Sequence, residues 1–144
     1  MPTNAVLLDT GFAIALENRA DPYHERAKRQ DRRLLAAGSE LVLHWGIVLE
    51  IGDGYARLGR RAKGMALLER FEREAGYRVE PITDALYRDA IDLYRSRPDK
   101  EWGLTDCVSF ILMEREKITE ALTPDPHFRQ AGFVALLLEP DPPA

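Results

Sequence analysis

Short apolar runs alternate along this chain with longer stretches in which apolar residues recur at helical spacing. Asn4–Leu8 is a continuous apolar run, the pattern of a strand buried on both faces. Leu41–His44, Arg78–Ile82, residues 118–123 and Phe133–Leu138 predict further strands. Between them the spacing predicts helices over Phe12–Leu16, 21–37, about 46–60, 64–75, 84–97, Asp106 to about Lys117, and 126–131. Punctuation agrees: Asp21-Pro22 and Thr83 open helices, while Gly38, Gly76 and Gly132 close them. Helices and strands alternate without internal repeat or linker. The expectation is one α/β domain over residues 1–139, with a mainly parallel sheet covered by helices on both faces, and a flexible tail at 140–144.

Composition changes this picture little. A chain of 144 residues with 45% hydrophobic and 31% charged residues is an ordinary globule large enough for a sizeable core. A net charge of −4 excludes a uniformly basic nucleic-acid binder, but the charge is uneven. Residues 1–73 sum to +2 and residues 74–144 to −6, which leaves room for a basic surface beside an acidic site. The single cysteine, Cys107, excludes an intrachain disulfide and a thiolate metal cluster, and its apolar surroundings predict burial. The N-terminus lacks a basic stretch before its short apolar run, and Phe133–Leu138 is far below membrane-spanning length; both point to a cytoplasmic protein.

Four carboxylates stand where core packing does not call for them. Asp9 ends the first apolar run, Asp125 follows the fourth, Asp106 heads the helix leading into that fourth run, and Glu50 lies on the helix leaving the second. Taken singly, each aspartate reads as a helix cap: Asp9 before Phe12–Leu16, Asp106 in the first turn behind Thr105 as N-cap, Asp125 as N-cap with Pro126 at N1. Glu50 falls outside the apolar face of Ile47, Ile51, Tyr55 and Leu58 and aligns with Gly46, Asp53, Gly54 and Arg57. Two glycines there imply either close backbone packing or room for a metal, water or phosphate.

Taken together, the acids have a second reading. If the first and fourth strands are neighbours, all four share the rim where open α/β sheets bind ligands. Packed carboxylates repel unless a cation offsets them, and hard oxygen ligands suit Mg²⁺ or Mn²⁺, which serve phosphoryl-transfer chemistry. Other chemistries fit worse. His24, His44 and His127 show no zinc spacing, and no phosphate loop, dinucleotide fingerprint or nucleophile-elbow serine is present. The basic residues Arg57, Arg60, Arg61 and Lys63 read either as a solvated helix end or as a phosphate-contacting patch, with Arg57 two turns beyond Glu50 on the same face.

Leu-Leu-Asp9-Thr-Gly, Val48-Leu49-Glu50, the run from Asp99 through Thr105-Asp106-Cys to Phe110, Ala121-Leu-Thr-Pro-Asp125-Pro-His-Phe128 and Ala131-Gly-Phe133 follow one another along the chain. In that order and spacing they resemble the PIN domain, and especially VapC-type toxin ribonucleases. The resemblance covers nearly the whole chain. It implies a five-stranded parallel sheet and a Mg²⁺/Mn²⁺-dependent endoribonuclease whose acidic set falls on Asp9, Glu50, Asp106 and Asp125, with the supporting hydroxyl of Thr10. It also implies a homodimer, often inhibited by an antitoxin peptide. This chain departs from the family in having His44-Trp45-Gly46 where Ser or Thr is frequent, and Gly103 where serine is common; Asp53 stands close enough to Glu50 to share its role. Two rival functions are a catalytically silent PIN-fold module binding RNA or protein, and a small-molecule phosphohydrolase.

Overall fold

The computed structural model describes residues 4–141. The chain runs β1 (Ala5–Leu8), α1 (Thr10–Glu17), α2 (His24–Ala36), β2 (Glu40–His44), α3 (Trp45–Gly54), α4 (Arg61–Arg73), β3 (Tyr77–Glu80), α5 (Asp84–Ser96), α6 (Leu104–Glu116), β4 (Glu120–Leu122), α7 (Pro126–Gln130) and β5 (Val134–Ala135). The five strands form one sheet in the order β3-β2-β1-β4-β5, with every pair parallel. The sequence expectation of a parallel α/β domain is met.

The strand order decides where the acids go. From β1 the chain winds outward through β2 to β3, then crosses back to β4 on the far side of β1. Right-handed crossovers in opposite directions place the intervening helices on opposite faces. Accordingly α1 packs on α2, α3 and α4, while α5 packs on α6 and α6 on α7. Leu8 pairs with Leu122, so Asp9 and Thr123 leave the sheet side by side, and the Asp9 amide donates to the Leu122 carbonyl at 3.1 Å. The core fills both faces: Leu7, Leu8, Leu41, Leu43, Ile47, Ile51, Phe12, Phe71, Phe128 and Met113 are fully buried. Cys107 is buried, as its context predicts.

Two local expectations are corrected. The helix expected over 46–60 stops at Gly54. Tyr55 turns inward, 4% exposed, and its hydroxyl donates to Glu17 Oε2 at 2.7 Å. The chain then bends through Gly59 at φ +86, and Leu58, expected on the apolar face, is 96% exposed. The tight bend depends on Gly64, where a Cβ would meet Tyr55 Cβ at 2.6 Å. Second, the N-cap of α6 is Gly103 rather than Thr105, because the Asp106 carboxylate folds back to accept from the Gly103 amide at 3.1 Å. α2 also carries buried polar residues. Gln30 and Asp31 are buried, Asp31 accepting from Arg70 at 2.7 Å and from the Tyr77 hydroxyl at 2.8 Å. Of the expected tail 140–144, residues 142–144 lie outside the described residues, and Asp141 is held by Arg29 at 2.6 Å.

Candidate active site

The C-terminal ends of β1 and β4 sit at the crossover reversal, where the ends of parallel strands leave a crevice. Asp9 is the first residue past β1 and the N-cap of α1 by backbone geometry, with no side-chain capping bond. Its carboxylate is therefore free to turn into the rim. It is 7% exposed and accepts from the Thr123 hydroxyl at 2.8 Å. Burial pushes its pKa from the ordinary 3.8 to about 7; the Thr123 and Thr10 hydrogen bonds oppose this, and the nearby charges of Asp106 and Glu50 add to it.

Thr10, the next residue, donates its hydroxyl to Glu50 Oε1 at 2.6 Å, so the helix that follows β1 holds the carboxylate on α3. Glu50 itself is exposed, as is Asp53 one turn further on. Gly46 is explained by packing: a Cβ there would lie 2.8 Å from Cε1 of His44. His44 is fully buried, with Nε2 against the Ser109 hydroxyl at 2.8 Å and Nδ1 accepting from the Gly46 amide at 3.0 Å. Burial drives its pKa down to about 4, so at neutral pH it is an uncharged cap joining β2 to α6.

Asp106, in the first turn of α6, and Asp125, the N-cap of α7, approach one another on the other side of the rim. Burial raises the Asp106 pKa, the Gly103 amide lowers it, and the Asp125 charge raises it further. Asp125 does act as a cap, accepting from the His127 amide at 2.9 Å. That bond occupies Oδ1, and capping leaves the other oxygen available to a ligand. Between the two acids stands His127, whose Nδ1 is 3.3 Å from Asp106 Oδ2 and 3.4 Å from Asp125 Oδ1. The three side chains offer ligand atoms that all lie within 4.8 Å of one another. Sequence reasoning set His127 aside for want of zinc spacing. Its signal was local: a residue two past an Asp N-cap sits in the helix's first turn, beside the capping carboxylate.

The structure thus brings Asp9, Asp106, Asp125 and Glu50 to one rim, in two linked parts. Asp106, Asp125 and His127 make a compact ligand group; Asp9 couples to it electrostatically and to Glu50 on its other side. Thr105 lies in the same first turn of α6, with its methyl facing Gly46. The basic patch is elsewhere than expected. Because α3 ends at Gly54, Arg57 does not return to the Glu50 face; Arg57 and Arg60 lie in the connection, and Arg61 opens α4. All three are exposed, and among the described residues none forms a salt bridge, whereas Lys63 lies 3.7 Å from Glu17.

Comparison with known proteins bears on the family and the fold. The family model for the PIN domain matches residues 6–134. The 23S rRNA-specific endonuclease VapC20 of Mycobacterium tuberculosis is 30% identical over 131 residues, covering 90% of this chain and 95% of that protein. The crystal structure of VapC20, described as a Sarcin-Ricin loop cleaving toxin, superposes with a TM-score of 0.78 at 26% identity, covering 90% of this chain and 96% of that one. The fold is also that of FitAcB from Neisseria gonorrhoeae, with a TM-score of 0.63 at 23% identity, covering 90% and 94% of the two chains. A match across nearly the full length, in sequence and in structure, places the chain in the PIN-domain family, among its VapC-type toxin ribonucleases.

Proposed function

We propose that the protein is a Mg²⁺- or Mn²⁺-dependent endoribonuclease that hydrolyses phosphodiester bonds in structured RNA, leaving 3′-hydroxyl and 5′-phosphate ends. The observation that carries this reading is the convergence of Asp106, Asp125 and Asp9 at the β1–β4 rim. There, two of the three carboxyl groups are held above their ordinary pKa by burial and by one another. An ionised cluster of this kind is costly without a cation. The donor set fits one: carboxylate oxygens suit Mg²⁺ and Mn²⁺, and an imidazole beside them is compatible with Mn²⁺.

Asp106 and Asp125 would hold the ion, with Asp9 beside them and Glu50 either as a further ligand or as the group that orients water. Held by these residues, a divalent ion would supply water activation and charge stabilisation for phosphoryl transfer. The protein's own contribution is placement. Thr123 fixes the Asp9 carboxylate, Thr10 fixes Glu50, and the Gly103 amide fixes Asp106. RNA as substrate is supported by the similarity to VapC20, a protein named for cutting 23S rRNA. The test is incubation of the purified chain with ribosomal RNA in Mg²⁺, in Mn²⁺ and in EDTA, followed by end mapping. Cuts bearing 5′-phosphate should appear with either ion and vanish in EDTA. Turnover of p-nitrophenyl phosphate without RNA cleavage would replace this reading with a phosphohydrolase.

Arg57, Arg60 and Arg61 are proposed to contact RNA phosphates at a distance from the acids. Replacing all three with Ala should weaken RNA binding across sequences and flatten its salt dependence by roughly 0.7–0.9 in log–log slope per lost contact. An unchanged slope would leave the three as a solvated bend. The protein is further proposed to act in the cytoplasm and to form a homodimer, paired with an antitoxin protein. Trp45, Leu49, Leu58 and Met65 are the exposed apolar residues available for the dimer contact on and between α3 and α4. Light scattering that returned the 16.3 kDa of one chain would remove the dimer.

A further inference from the structure

On the side of Gly103 away from the acids lies a groove of about 770 Å³, between the C-terminal end of α5, the loop 97–103 and the head of α6. That volume is within the range of ordinary ligand sites. Its position is tied to the candidate active site through one residue. Gly103 lines the groove, and its amide is the donor that holds Asp106; a Cβ on it would lie 3.8 Å from Asp106 Oδ2. A chain of nucleotides whose phosphate reaches the acids has a path over Gly103 into this groove.

The lining has the character that unpaired RNA needs. Tyr94 lines the groove and is 52% exposed. Trp102 forms the inner wall and is fixed, packed edge-on against Phe110 with centroids 5.1 Å apart and bonded through Nε1 to Gln130 at 3.1 Å. The Arg97 guanidinium lies 5.1 Å over the Trp102 ring and is gripped by both Asp99 oxygens at 2.9 Å. Around these stand Arg95, Lys100 and the carboxylate Glu101, the charge of Arg97 being offset by Asp99. Among the described residues Lys100 forms no salt bridge, and Arg95 has only Asp92 at 3.6 Å. Lys100 without a salt bridge and the loosely paired Arg95, set beside the aromatic lining, are complementary to phosphates flanking a base with a π-face.

We propose that this groove receives an unpaired nucleobase of the RNA, next to the phosphate presented to the acids. The base stacks on Tyr94, and Lys100 and Arg95 hold the phosphates on either side of it. The proposal deepens the endoribonuclease reading and rests on it for the direction of the strand. Base stacking on an aromatic side chain tolerates any base, while a walled groove admits only a base that is out of its helix, so the groove would select loops and bulges over duplex.

The experiment measures RNA binding in EDTA, where cleavage plays no part. Stem–loop RNAs carrying 2-aminopurine at successive loop positions are titrated with the wild type, Tyr94→Phe, Tyr94→Ala and Lys100→Ala. One loop position should lose fluorescence on binding the wild type and Tyr94→Phe but not Tyr94→Ala, and Tyr94→Ala should raise Kd about tenfold. Lys100→Ala should keep the quenching and flatten the salt slope by about 0.7–0.9. The proposal is overturned if no loop position is quenched in a Tyr94-dependent way, or if Tyr94→Ala binds as tightly as the wild type; a protein partner for the groove would give that result. The two readings fail separately. Tyr94-dependent quenching without cleavage on adding Mg²⁺ or Mn²⁺ sinks the nuclease and leaves the groove, whereas cleavage with Tyr94-independent binding sinks the groove alone.

Discussion

Asp106→Asn should lower RNA cleavage by about 10²–10⁴-fold, the equivalent of roughly 3–5 kcal/mol of transition-state stabilisation, the loss expected if Asp106 is a metal ligand as proposed. The fold should survive the change. Asparagine keeps the volume, and its side-chain oxygen still accepts from the Gly103 amide that Asp106 now engages. What disappears is a negative charge held among like charges in a place where burial already disfavours it. Without metal, the variant should therefore melt no lower than the wild type, and above it at neutral pH. Cleavage rates on one labelled RNA, read beside thermal melts of both proteins, separate loss of chemistry from loss of structure. Cleavage undiminished in a folded Asp106→Asn would remove this rim from the reaction.

The second large effect concerns Asp9 and is one of stability rather than rate. Its pKa is raised from 3.8 to about 7 in the folded chain. Between those values the native state holds a proton that the unfolded chain has released, so raising pH favours unfolding. Metal-free wild type should be most stable, as far as this group is concerned, below the ordinary carboxylate pKa, and should lose about 4 kcal/mol as pH rises through about 7. Against a typical total of about 5–15 kcal/mol for a domain, that is a large fraction. Asp9→Asn, which still accepts from Thr123, should remove this part of the slope and be the more stable protein at neutral pH in EDTA. Urea denaturation at a series of pH values checks it, and parallel pH profiles for the two proteins would contradict it.

The sequence made the acids visible because each one interrupts a pattern. Asp9 and Asp125 end apolar runs, and Asp106 and Glu50 fall off the apolar faces of their helices. Their meeting was legible only conditionally, since it depends on β1 lying next to β4, and strand order is set by pairing between residues more than a hundred positions apart. The capping and ligand readings of Asp125 turn out to be compatible, because a carboxylate that caps with one oxygen keeps another. What periodicity hid was the bend at Tyr55. Its spacing from Ile47 and Ile51 is helical, but its hydroxyl partner on α1 and the close approach of Gly64 hold it where the helix ends, before Arg57. Asp31 was hidden for a related reason. Nothing within α2 tells that Arg70 and Tyr77, from α4 and β3, will close over it. His44 could not be assigned a role because its partner, Ser109, is 65 residues away.

The central claim is that the β1–β4 rim holds the divalent ion on which RNA cleavage depends. Calorimetric titration of Mn²⁺ into metal-free protein at neutral pH, run on the wild type and on Asp106→Asn, tests it most directly. Saturable binding by the wild type that is lost or greatly weakened in Asp106→Asn is the predicted result. Wild type that takes up no Mn²⁺, or a variant that binds it with unchanged affinity, would contradict the account.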